Sequence, residues 1–187
     1  LDIYTTLSLN NSSYKKFSIQ EISGNIMYKN NMIIGSNLIF KNLNQFKFTI
    51  DDFNMKSPDD FFLLGKLESN RMNLDIFNGL LDVDLQNFST ENLHLSYIYE
   101  RNKDLANLSA VGYSDLIILE DIALAKVNYD ILYTDRLNKC IFTADNMTYY
   151  NYFFGSIDSK YINNNFTFTS KNLDSGDMVD YLSKLVK

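Results

Sequence analysis

Several things are scarce in this sequence, and each scarcity closes off a class of function. There is one cysteine, Cys140, so no intrachain disulfide and no multi-thiolate metal site can form. There is one histidine, His94, which rules out a metal site built on several histidines. Tryptophan is absent, proline occurs once, and the 7 glycines are scattered. None of those glycines forms a phosphate-binding loop or a dinucleotide fingerprint. Lys15-Lys16 is the only adjacent basic pair in a chain of net charge -6, so the basic face that nucleic acid requires is missing. No apolar run reaches the roughly 18–20 residues that span a bilayer. The most apolar stretch, "DLIILEDIALAKV" (Asp115–Val127), is interrupted by Glu120 and Asp121.

What is present is alternation. Phe46, Phe48 and Ile50 are separated by Lys47 and Thr49. Met72, Leu74 and Ile76 are separated by Asn73 and Asp75. The same period of two recurs in Leu81, Val83 and Leu85, in Leu93, Leu95 and Tyr97, and in Phe166 and Phe168. Successive strand side chains point to opposite faces, so each run buries one face and wets the other. This predicts a mainly β fold: an antiparallel, meandering, twisted sheet forming an elongated groove or a sandwich. Polar breaks are expected to be turns at "KSPDD" (Lys56–Asp60), "ESNR" (Glu68–Arg71), "FNG" (Phe77–Gly79), "STEN" (Ser89–Asn92), "ERNKD" (Glu100–Asp104) and "TDRLN" (Thr134–Asn138). None is a Gly/Ser/Pro linker, so residues 1–187 read as one β-rich domain, a section of a longer protein given its start within an alternating pattern.

Only the C-terminus has the helical period. Met178, Leu182 and Leu185 form a stripe, Asp174 or Ser175 caps it, and Lys184 and Lys187 suit its far end. A helix over 174–187 is therefore expected to cap the open end of the sheet.

Catalytic apparatus is not visible. His94 alternates with Leu93 and Leu95 and so faces solvent, away from any nucleophile motif. The pairs Asp51-Asp52, Asp59-Asp60 and Glu120-Asp121 place adjacent side chains on opposite faces, so they read as turn and rim residues. The asparagine excess is read mainly as compositional drift, and Cys140 as a small buried residue. The expectation is a non-enzyme without metal or cofactor.

The cadence of "FKFTIDDFNMKSPDDFFLLGKLESNRMNLDIFNGLLDVDLQNF" (Phe46–Phe88), with Gly65-Lys66-Leu67 and Gly79-Leu80-Leu81, resembles the AsmA-like family of bacterial envelope proteins. The ending "GSIDSKYINNNFTFTSKNLDSGDMVDYLSKL" (Gly155–Leu185) resembles that family's final strand and short helix. The resemblance implies a periplasmic β-groove conducting phospholipid between membranes, held at the inner membrane by a segment not present in this chain. Lipid acyl chains would be its partners, with envelope proteins as further ones. The lining nominated is Phe46, Phe48, Ile50, Leu74, Ile76, Leu81, Val83, Leu85, Leu93, Leu95, Phe166 and Phe168. Two other readings stay open: a structural or adhesive β-helix or sandwich with a closed apolar core, and a glycan-active β enzyme.

Overall fold

The computed structural model describes residues 2–14, 17–42, 46–73, 87–103, 105–150 and 152–172, together with Gly176 and Val179. The described strands are β1 (Ile3–Tyr14), β2 (Phe17–Lys29), β3 (Met32–Asn42), β4 (Phe46–Ser57), β5 (Asp60–Asn73) and β6 (Phe88–Asn102). β7 (Leu105–Leu119), β8 (Ile122–Tyr133), β9 (Asn138–Tyr149), β10 (Tyr152–Ile162) and β11 (Asn165–Lys171) follow. They form a single antiparallel sheet in strict chain order, with β1 and β11 as its two edges. Every substantial strand contact is between chain neighbours. The described strands thus build one open layer, not the sandwich that was the other option. The helix expected over 174–187 lies outside the described residues apart from Gly176 and Val179, as do Leu74, Ile76, Leu81, Val83, Leu85 and the "FNG" turn.

Asparagine makes much of the backbone geometry. Among the described residues, nine of the thirteen non-glycine residues with positive φ are Asn. Asn30-Asn31 and Asn163-Asn164 each have both central φ values positive, as a type I′ hairpin turn requires. Asn tolerates this left-handed region because its short amide can bond locally. Compositional drift is therefore an incomplete account of the asparagines.

Two expected turns are not turns. Glu68–Arg71 and Ser89–Asn92 lie inside β5 and β6. There, two successive residues sit between buried positions: Asn70-Arg71 between Ser69 and Met72, and Glu91-Asn92 between Thr90 and Leu93. The same skip recurs at Ala125-Lys126 between Leu124 and Val127. Asn92 and Lys126 adopt positive φ at these points, so the strands are locally irregular there without ending, and their pairing runs on in the same register. Asp51-Asp52 is likewise a mid-strand irregularity of β4, facing β5, and not a turn. Two acceptor-rich polar residues look alike in a turn and in a mid-strand irregularity. By contrast, "KSPDD" turns β4 into β5, Glu120-Asp121 turns β7 into β8, and "TDRLN" links β8 to β9.

Candidate binding face

Cross-strand pairing converts the local alternation into continuous rows. One row runs through all eleven strands: Leu9, Ile22, Phe40, Phe48, Leu67, Leu95, Gly112, Tyr129, Phe142, Ser159 and Phe168, each directly opposite the next. Nine of these eleven side chains are apolar or aromatic. Ten strand spacings of about 4.8 Å give it a length of about 48 Å. A second row on the same face joins Leu38, Ile50, Gly65, Tyr97, Ala110, Ile131, Cys140, Tyr161 and Phe166. Pairing and alternation put all the buried apolar side chains on this one face, which we call the inner face.

Two packed groups occupy it. Phe46, Met72 and Leu93 are buried together, with Phe48, Leu67, Leu95 and Tyr129 against them. Leu124, Val127, Ala144 and Ile157 form the other, flanked by Ile117, Phe142 and Tyr129 among others. Tyr129 belongs to both. Phe48 extends the first group by stacking on Tyr97 at 5.2 Å and meeting Phe40 edge-on at 5.9 Å.

Two glycines on this face are each paired with a tyrosine. Tyr97 sits opposite Gly65 and donates its hydroxyl across β5 to the carbonyl of Thr49 on β4, at 3.1 Å. Tyr129 sits opposite Gly112 and donates to the carbonyl of Tyr113 at 2.9 Å, lying also 3.5 Å from the carbonyl of His94 on β6. A Cβ on Gly65 would run into the Thr49 carbonyl, and one on Gly112 into the His94 carbonyl. Each tyrosine ring covers a glycine and fills the volume its missing side chain leaves. Burial pushes the hydroxyl pKa of both tyrosines up, with the Asp51 charge adding to it at Tyr97. They therefore remain neutral donors.

The adjacent row on the other face reads Asn10, Glu21, Lys41, Lys47, Glu68, His94, Tyr113, Asn128, Thr143, Asp158 and Thr169. It carries ion pairs between Lys41 and Glu21 at 3.0 Å and between Lys47 and Glu68 at 3.7 Å. The Lys41 hydrogen bond holds the Glu21 carboxyl below its ordinary range. His94 is exposed on this row, 3.9 Å from Glu68 and stacked on Tyr113 at 4.7 Å.

Of the residues nominated from sequence, Phe46, Phe48, Leu93 and Leu95 are brought together in one group, and Ile50 lies in the neighbouring row. Phe166 and Phe168 occupy the same two rows at the far edge, on β11. The nominated set is not uniform: Phe46, Ile50 and Leu93 are buried, Phe48 and Leu95 half-buried, and Phe166 and Phe168 exposed. The sequence reading missed Leu38, Phe40, Leu67, Tyr129, Phe142 and the whole group around Val127. What groups them is cross-strand register, which the sequence alone does not carry. Cys140 is half-buried in the second row, and burial followed by the Asp130 charge raises its thiol pKa.

Among the described residues no cluster of His, Cys, Asp and Glu could hold a metal ion, and no helix is long and apolar enough to cross a membrane. Comparison with known proteins finds no matching family, no matching characterised protein and no matching solved structure.

Proposed function

We propose that the chain is a non-catalytic β-groove module whose inner face binds lipid acyl chains, in the manner of the AsmA-like envelope proteins that its sequence resembles. The observation that supports this reading is the apolar row through eleven strands of a single open layer. A layer that buries its apolar face against a second sheet needs no ligand. Here the described strands have no second sheet, and Phe40, Phe48, Leu67, Leu95 and Phe142 remain half-exposed along the row.

In this reading the gradient of exposure separates two roles. Phe46, Met72 and Leu93 act as floor, holding the strands in register. The half-exposed residues above them meet the ligand. Each methylene transferred from water to such a surface contributes about 0.8 kcal/mol, so a long acyl chain needs no directional contact to be retained. The polar row on the opposite face keeps the module wetted on its outside. The periplasm between two membranes, with anchoring by a segment beyond this chain, is the setting that goes with the reading.

The test is organic extraction of the purified protein with mass spectrometry, together with titration of a fluorescent fatty acid. Bound lipid and saturable fluorescence are expected, both lost in Leu95→Asp and both kept in His94→Asp, its neighbour on the other face. A lipid-free protein that gives no fluorescence change would contradict the reading and favour a structural β protein.

A further inference from the structure

The two edges of the sheet are not equivalent. Eleven antiparallel strands are an odd number, so β1 and β11 run in the same direction. Adding one copy head to tail, with inner faces aligned, would pair β11 with β1 in parallel, unlike every other pair in the sheet. Only like-with-like pairing about a two-fold axis normal to the sheet continues the antiparallel pattern and keeps both inner faces on one side.

β11 has what such pairing needs. The two-residue turn at Asn163-Asn164 closes on the pair Ile162 and Asn165. That places the N–H and C=O groups of Asn165, Thr167 and Thr169 toward β10, and those of Phe166, Phe168 and Ser170 toward the free edge. From Asn165 to Ser170 no charge, proline or bulge protects this edge, which are the usual safeguards against pairing. Phe166 and Phe168 are 63% and 50% exposed at the end of rows whose interior members are covered by a strand on each side. β1, in contrast, carries a left-handed residue, Asn11, that drops out of an otherwise continuous pairing with β2.

We propose that β11 is a self-association edge, pairing antiparallel with β11 of a second copy about a two-fold axis through Thr167. In this register Phe166 lies opposite Phe168 of the other copy, twice over, on the inner face. The two Thr167 residues face each other on the outer face as a non-hydrogen-bonded pair, with Cα atoms about 4.5 Å apart. Both apolar rows then run unbroken from one copy into the next. The proposal stands whether or not the face binds lipid.

The experiment is light scattering of the full chain in about 0.15 M salt, where surface charge is screened. A concentration-dependent mass approaching twice 21.7 kDa is expected. Thr167→Lys sets two lysines opposite each other at the axis, and is expected to return the mass to 21.7 kDa with an unchanged circular dichroism spectrum. Thr167→Cys, with Cys140→Ser, is expected to form an interchain disulfide on oxidation, the Cα spacing being within disulfide range. Thr6→Cys on the outer face of β1 is expected not to. A protein that is monomeric throughout overturns the proposal. So does a dimer that survives Thr167→Lys, or one crosslinked through Thr6→Cys instead.

Discussion

Two neighbouring rows of the same sheet differ by one residue along each strand and in almost every physical property. Phe48, Leu67 and Leu95 stand one position away from Lys47, Glu68 and His94. The first row packs and the second is solvated and paired by charge. Because strand side chains alternate, a slip of one residue would exchange the two rows wholesale. The energy gap between those arrangements is what specifies register in a sheet whose described strands form a single layer.

The contrast predicts an ordered series of effects, measured by urea denaturation. The largest comes from Val127→Asp, since Val127 is 2% exposed within the group around Leu124 and Ala144. An uncompensated buried charge costs about 3–5 kcal/mol, whereas Asn128→Asp next to it changes stability by less than about 0.5 kcal/mol. Equal effects at the two positions would break the comparison. Next is Gly112→Ala, whose Cβ meets backbone and not a yielding side chain. A loss of about 3 kcal/mol is expected, and a neutral result would show that the close approach of the His94 carbonyl to Gly112 is not there.

Tyr129→Phe removes one hydroxyl from the inner face and leaves the ring in place. About 1 kcal/mol is the expected loss for the bond to the Tyr113 carbonyl. Smallest is Lys47→Ala on the outer row, whose partner Glu68 is partly exposed like itself. Such pairs contribute about 0–1 kcal/mol and weaken with salt. The outer row also titrates. Glu21 has its folded pKa lowered, so its small contribution is present above its unfolded pKa and is lost as pH falls through the folded one. Glu21→Gln should flatten that acid limb and remove the same small contribution at neutral pH.

Much of this was legible in the residues, and the limits have physical causes. Alternation is local, so Phe46-Phe48-Ile50 and Leu93-Leu95-Tyr97 could be assigned to one face of a strand before any pairing was known. The extent of the strands could not. Asn70-Arg71 and Glu91-Asn92 are polar, which suits a turn and a mid-strand irregularity alike. Whether such a pair ends a strand or kinks it depends on the strand alongside. The continuous row is a property of register across eleven strands, and no window of sequence contains it. The Tyr97–Gly65 and Tyr129–Gly112 pairs show this most clearly, with partners far apart in the chain and side by side in the sheet. Leu74, Ile76, Leu81, Val83 and Leu85 share the alternation but lie outside the described residues.

The central claim, that the inner row meets acyl chains and the outer row does not, is tested most directly by photo-crosslinking. A benzophenone amino acid at Leu67 or Leu95, on the inner row, is compared with one at Lys66 or His94 on the other face, in protein loaded with radiolabelled phospholipid. The account predicts lipid adducts at Leu67 and Leu95 and none above background at Lys66 and His94. Equal labelling of both faces, or none on either, would contradict it.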